Sequence, residues 1–368
     1  LGQLGGWALH FLGCTEGADK IITSDINEEL GLFKTNVAAI ASAYQGFNKK
    51  FEFHANDIND IDATAKLLEK VKPDAILLAV AIQSVFAVRK IPFAQDIRDK
   101  LHLAGFGAWL PFHLLLPAKF MQALKKSGIQ THVVNSSFPD VVGPVLWKHF
   151  GFGPTVGGGN HGRVAMQIIR HVSITEEVPI QDVILYFVGS HSLAERGSKE
   201  GIPFFLKILV GDRDITSKYD SDWLVNECPI NPRTPLVRQN VDFRGEIGAG
   251  YAKNVKAIIR DTNELINTPS PGGLIGGYPA RLSLKGAEVV LPEELTLEQA
   301  IKINEEAEKF DGIEKIKDDG TVVFTDKTYS IMRELGYDCR ELPIDELEPR
   351  SRELKGLIKK LLSSERNE

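Results

Sequence analysis

His191 stands in Tyr186-Phe187-Val188-Gly189-Ser190-His191-Ser192, just past an apolar run and flanked by small residues. An imidazole so placed exchanges protons near neutral pH, because its unperturbed pKa is about 6.5. The chain carries nine histidines, so the motif alone also admits a structural role. A second group of letters is Leu1-Gly2-Gln3-Leu4-Gly5-Gly6. Glycines at the turn from a strand into a helix let a diphosphate approach the backbone N–H groups at the helix N-terminus. Gly2 and Gly5 fit the second and third glycines of G-x-G-x-x-G, with Gln3 and Leu4 between them. The strand that normally leads into such a turn is expected to lie ahead of Leu1. Asp25 closes the next apolar run, twenty residues beyond Gly5. A carboxylate there accepts hydrogen bonds from both ribose hydroxyls and repels a 2′-phosphate, which predicts NAD rather than NADP.

Further candidates sit at the ends of apolar runs. Asp57, in Ala55-Asn56-Asp57-Ile58, is placed to approach the adenine, or equally to make a turn. Ala79 and Ala81 end the run Ala75 to Ala81 on the cofactor side. Asn135, in Val134-Asn135-Ser136-Ser137, lies at a carboxyl edge, where open α/β sheets bind ligands. It would also serve as a turn cap. Gly157-Gly158-Gly159-Asn160-His161-Gly162-Arg163 offers an anion-friendly helix start, with Arg163 able to grip a carboxylate on two prongs. Tight packing of a helix start explains the same glycines. Arg89, Lys90 and Arg98 follow the apolar run and can close over a substrate, or form a solvated charge cluster.

Elements must hold these groups in place. Residues 1–137 alternate helix and strand signals. The spacing of Trp7, Ala8, Phe11 and Leu12 predicts a helix, Lys20–Asp25 and Phe51–Ala55 predict strands, and Ile61–Val71 predicts an amphipathic helix capped near Asp60 or Asp62. Ala75–Ala81 and Thr131–Asn135 read as buried strands, with core helix between them over Leu103–Leu124. This is the pattern of a doubly wound parallel sheet, the α/β class. A second, α+β domain is expected from about residue 151. In it, helices are predicted from the glycines to Ile169, over Gly248–Leu265 and over Thr296–Lys309, the last with a capping box Thr296-x-x-Gln299. Strands are predicted over Val183–Val188, Phe204–Val210, Ala280–Leu284 and Ala287–Leu291. The division is 1–150, 151–346, and a charged C-terminal helix in 347–368.

Composition narrows the classes. The 368 residues are 43% hydrophobic and carry a net charge of −6, which disfavours a general nucleic-acid binder. No uninterrupted apolar stretch has the length of a membrane helix. Cys14, Cys228 and Cys339 are too few and scattered for a disulfide framework or a C-x-x-C metal site, so no metal and a reducing, cytoplasmic setting are expected.

The order of glycine turn, Asp25, apolar strand, Asn135-Ser136-Ser137-Phe138-Pro139-Asp140, glycine-rich helix start and Val188-Gly189-Ser190-His191-Ser192 resembles the lactate/malate dehydrogenase superfamily. Leu282 to Ile313 is similar to that family's C-terminal hairpin and last helix. The resemblance runs from Gly2 to about Ile316 and is one of order and pattern. It implies a Rossmann domain followed by a catalytic domain, NAD(P), and reversible reduction of a 2-oxo acid. His191 matches the family's proton-transferring histidine, although Gly-Glu-His-Gly reads Gly189-Ser190-His191-Ser192 here. Asn135 matches the asparagine that holds substrate and nicotinamide, and Arg89 is the counterpart of the polarising arginine. The family's histidine-orienting Asp has no match among Asn160, His161, Gly162 and Arg163. Arg163 is expected to grip the substrate, and Asn160 or His161 to orient His191.

The leading expectation is an NAD-dependent oxidoreductase acting on a small, anionic hydroxy or oxo acid. An opine-type or other imine or alcohol dehydrogenase is the second reading, and a catalytically silent NAD-binding sensor the third. The extended short-chain enzymes acting on nucleotide sugars need Tyr-x-x-x-Lys, and none of the seven tyrosines has Lys four residues later. The resemblance also implies a homodimer or homotetramer, for which the tail and the helix from Gly248 are the expected contacts.

Overall fold

The structure, a computed structural model, describes residues 1–228 and 244–364. Its first part runs α1 (Gln3–Gly13), β1 (Lys20–Asp25), α2 (Glu28–Tyr44), β2 (Lys50–Ala55), α3 (Ile61–Val71), β3 (Ala75–Leu78), α4 (Val85–Val88), α5 (Gln95–Ala104), α6 (Leu110–Ser127), β4 (His132–Asn135), α7 (Pro139–Phe150) and β5 (Val156–Gly157). All strand pairs here are parallel: β1 beside β2, and β3, β4 and β5 side by side. Helices supply the crossovers that parallel pairing requires. Local chemistry fixes several boundaries. Asp60 caps α3 by accepting from the Ala63 N–H at 2.9 Å, and Gly128 ends α6 in the left-handed conformation.

The second part continues α8 (Asn160–Thr175), β6 (Val183–Val188), α9 (His191–Arg196), β7 (Phe205–Val210), β8 (Arg213–Asp214), α10 (Ser221–Glu227), α11 (Arg244–Ile259), β9 (Glu264–Pro269), β10 (Gly277–Ser283), β11 (Gly286–Val289), α12 (Leu297–Glu308), β12 (Ile313–Ile316), β13 (Val322–Phe324), α13 (Asp326–Leu335), β14 (Glu341–Leu342) and α14 (Leu347–Ser364). Its three sheets are antiparallel, in the orders β6-β7-β8, β11-β10-β9 and β12-β13-β14. The mixed α/β class expected from the sequence is the one observed.

The single helix expected over Gly248–Leu265 is corrected. It stops at Ile259, Asp261 and Asn263 turn the chain at φ 51° and 53°, and Glu264 begins a strand. Asp and Asn tolerate the left-handed region because their short polar side chains bond locally. The three-stranded sheet β12-β13-β14 was not foreseen. The capping box is present: the Gln299 N–H donates to Thr296 Oγ1, and the Thr296 N–H to Gln299 Oε1. In the tail, 365–368 lie outside the described residues.

Two packings position the site. α11 lies on α1 so closely that a Cβ at Gly248 would come within 2.6 Å of the Trp7 Cβ. One core joins α6 and α7 to β12–β14, α13 and α14, with Leu114, Val142, Val322 and Leu354 fully buried together. Among the described residues no single helix is long and apolar enough to cross a membrane.

Candidate active site

The N-terminus of α1 has the features of an anion cradle. Gly2 precedes the first turn with no side-chain cap, and a Cβ there would meet no atom within 4 Å. Gly5 is buried, its missing Cβ position 3.4 Å from Ala79 Cβ, which sets the start of α1 against the end of β3. Two cations flank this turn that the sequence did not announce. Lys34, on α2, donates to the Leu1 and Gly2 carbonyls, and Arg244, at the start of α11, donates to Gln3 Oε1. Both arrive by tertiary packing, so no local spacing marks them. Asp25 ends β1 as expected, and its Oδ1 accepts from the Asn27 N–H at 2.8 Å. Asp57 accepts from the Asn59 N–H at 2.9 Å, the turn geometry that was its second reading. Ala79 and Ala81 are half-buried just beyond β3.

From this cradle a continuous path leads to His191. Leu78 pairs with Asn135 across β3 and β4. Asn135 is buried and spends both ends of its amide on Ser137: Oδ1 accepts from the Ser137 N–H at 3.1 Å and Nδ2 donates to the Ser137 carbonyl at 3.0 Å. The turn so fixed delivers Phe138, held at φ 39°, an uncommon conformation for an aromatic residue. Its ring centroid is 5.2 Å from that of His191, and Phe106 covers the imidazole at 4.4 Å. Nearby, His113 shares a 2.9 Å hydrogen bond between its Nδ1 and Ser137 Oγ. Burial and the neighbouring His191 push its pKa down to about 3.

The residue that orients His191 is Asp311, whose Oδ2 is 2.7 Å from Nδ1. The expectation for Asn160 or His161 is thereby corrected. Asn160 opens α8, and His161 is buried with its ring stacked on Phe187 at 4.7 Å. Burial holds the His161 pKa near 3. Asp311 belongs to the turn after α12, and the local signal for it is slight: an acid wedged between Phe310 and Gly312 behind a charged helix. Burial alone would lower the His191 pKa, but Asp311, joined by the nearby Glu195 and Asp140, outweighs it and raises the value above 6.5.

A cavity of about 140 Å³ adjoins this pair, lined by Arg89, Arg98, Arg196, His102, Glu195 and Asp311, with Phe93, Phe106 and Trp109 as apolar wall. Arg89 Nη1 donates to Glu195 Oε2 at 2.7 Å. Arg196 pairs with Glu200 at 3.2 Å. Arg98 donates to Gln95 Oε1 and pairs with no carboxylate among the described residues. Arg163 lies behind, 3.5 Å from Glu246 on α11 and close enough to Glu195 to help keep it ionised. The structure thus gathers His191, Arg89 and the Asn135 turn, with Arg163 bordering them. Glu195, Arg98 and Asp311 join them from outside the expected set.

Beneath the imidazole are two more carboxyls. Asp140 and Glu308 are buried, and among the described residues none of their four oxygens has a hydrogen-bond partner. Burial pushes Asp140 up to about 6 and raises Glu308 well above the usual carboxylate range. The backbone around them is close: a Cβ at Gly276 would lie 2.2 Å from Asn304 Cγ, and one at Gly277 2.2 Å from the His161 ring.

The chain matches no protein-family model and no curated protein sequence. Solved structures do match it in fold. The malate dehydrogenase from Picrophilus torridus superposes with a TM-score of 0.59 at 16% identity, covering 84% of this chain and 94% of that one. A lactate dehydrogenase from a Medee basin deep-sea metagenome library gives 0.58 at 16%, with the same coverage. The lactate dehydrogenase from Eimeria maxima, solved with NADH and oxamate, gives 0.57 at 14%, covering 84% and 88%. The chain shares the lactate/malate dehydrogenase fold that its sequence pattern resembled.

Proposed function

We propose that the protein is an NAD-dependent oxidoreductase acting on a small anionic hydroxy or oxo acid, with His191 as the acid/base. The observation that carries this reading is the buried His191–Asp311 pair beside an arginine-lined cavity, joined through Asn135 and Ala79 to the open glycine turn of α1. Backbone N–H groups from Gly2 to Gly5, with Lys34 and Arg244 beside them, fit a diphosphate, and Asp25 at the β1 end fits a ribose. When bound, the nicotinamide supplies or takes the hydride. The chain does the rest. Asp311 fixes Nδ1 as the donor to its carboxylate, which leaves Nε2 to give or take the substrate proton. Phe106 and Phe138 keep water from the ring, and the cavity arginines neutralise the substrate's carboxylate.

Fluorescence titration with NADH, paired with turnover of the His191→Ala variant on a panel of 2-oxo acids, tests the reading. Submillimolar NADH binding with turnover reduced at least about a hundredfold in the variant is expected. No NADH binding at millimolar concentration would defeat it, and binding without any wild-type turnover would favour a sensor.

The proposal includes a homodimer, with α2 as its contact in place of the tail and the helix from Gly248, which pack within the chain against α6 and α1. This helix packs inward with small residues, Gly31, Thr35, Ala38 and Ser42, and turns Leu30, Phe33, Val37, Ile40 and Tyr44 to solvent. Phe33 is 64% exposed, Ile40 58% and Tyr44 87%. Their spacing of three and four is that of a helix–helix seam, and a second copy of the same face completes it. Together with Ile26 and Leu32, each side chain offers on the order of 100 Å², near the ~800 Å² per partner of a standard interface.

A further inference from the structure

Glu195 has no role in the chemistry assigned so far, yet it lies between Arg89 and His191. Its side chain is only 14% exposed and lines the cavity, one helical turn from His191. Oε2 holds Arg89 at 2.7 Å, while Oε1 faces His191 Nε2 at 4.0 Å, too far for a hydrogen bond. Arg89 is 43% exposed and reaches Glu195 from the other side of the cavity, across a separation of 106 residues. The carboxylate therefore occupies Arg89, one of the three arginines that face a bound anion and the one nearest His191 through Glu195.

We propose that a substrate carboxylate competes with Glu195 for Arg89, and that Glu195, once displaced, is left facing His191 and stabilises its imidazolium form through space, with the Nε2 proton still aimed at the substrate. Binding of the anion and uptake of one solvent proton by the imidazole then become a single event. The proposal rests on the reading of this cavity as the substrate site.

Electrostatics supports the exchange. A buried carboxylate that loses a hydrogen-bonded counter-ion is destabilised, so the departure of Arg89 leaves Glu195 with Arg163 alone and favours a second cation beside it. His191 is the neighbour that can become one. It faces Asp311 from the turn after α12, Asp140 from α7, His113 from α6 and Glu195 from its own helix. Glu195 in turn faces Arg89, Arg163 from α8 and His102 from α5. Burial alone would raise the Glu195 pKa, but Arg89 and His191 hold it below the ordinary value, so it stays an anion throughout. An anion at Arg89 thus stabilises imidazolium. By reciprocity, imidazolium strengthens anion binding, and affinity must rise as pH falls through the His191 pKa.

Oxalate, an inert dianion at these pH values, is the probe, titrated calorimetrically into the full chain without cofactor from pH 6 to 9. Wild-type affinity should rise up to about tenfold per pH unit on acidification. Glu195→Gln should bind oxalate about tenfold more tightly at pH 8 and lose most of that slope. Arg89→Gln should bind at least about tenfold more weakly at every pH, and it tests the exchange even should the Glu195 variant not fold. Absent oxalate binding, a flat wild-type profile, an undiminished slope in Glu195→Gln, or unweakened binding in Arg89→Gln would each overturn the proposal. A failed NADH titration with these oxalate results intact would instead remove the dehydrogenase reading.

Discussion

Asp311 lies 120 residues from the imidazole it holds, and the fold spends two elements, α9 and the turn after α12, to bring them together. The carboxylate does two things at Nδ1: it selects the tautomer and steadies the charge that appears when Nε2 is protonated. An amide of the same shape can do neither fully. Asp311→Asn should therefore lower kcat by about 10²–10⁴-fold with NADH affinity unchanged, measured by steady-state turnover beside a fluorescence titration. Equal turnover in the two proteins would remove Asp311 from the mechanism. The same substitution should also bring the His191 pKa down, read by histidine NMR, because its main stabilising neighbour is gone.

At the scale of elements, α2 is turned inside out. A Cβ at Gly31 would come within 2.3 Å of the Phe53 ring, so this face must be small to lie on the sheet, and the large apolar residues are left outside. If α2 forms the proposed seam, Phe33→Glu combined with Ile40→Glu should give a monomer in light scattering where the wild type gives a dimer, without changing the circular dichroism. A wild-type monomer at roughly 100 μM would rule the seam out. Much of this architecture was legible locally. β1, β6 and α3 follow from runs and periodicities that end where the letters change, and the Thr296 capping box is a four-residue signal. What could not be read depends on distant partners. The first two residues of β9, Glu264 and Leu265, continue the helical pattern of α11 in the letters and take strand geometry against β10. Lys34, Arg244 and Asp311 carry no local mark, since each becomes part of the site through an element packed from elsewhere. His191 was visible because a strand-to-helix junction with small flanks is written in the sequence itself.

The molecule as a whole is tied together by its shared core. Leu354 of α14 is fully buried in the cluster that also holds Leu114 of α6 and Val142 of α7, while β12–β14 close the same cluster. Leu354→Ala should lose about 2–5 kcal/mol, seen as a lower midpoint in a denaturant titration of the full chain. A loss under about 1 kcal/mol would mean that α14 only rests on the surface. This arrangement also governs how the chain must mature on the ribosome. The apolar side of α6 is synthesised early, yet the helix that covers it emerges some two hundred residues later, a wait of roughly 10–40 s. During that interval the nascent protein exposes a greasy surface that has no native cover, so chaperone capture should concentrate on partly made chains rather than on finished ones.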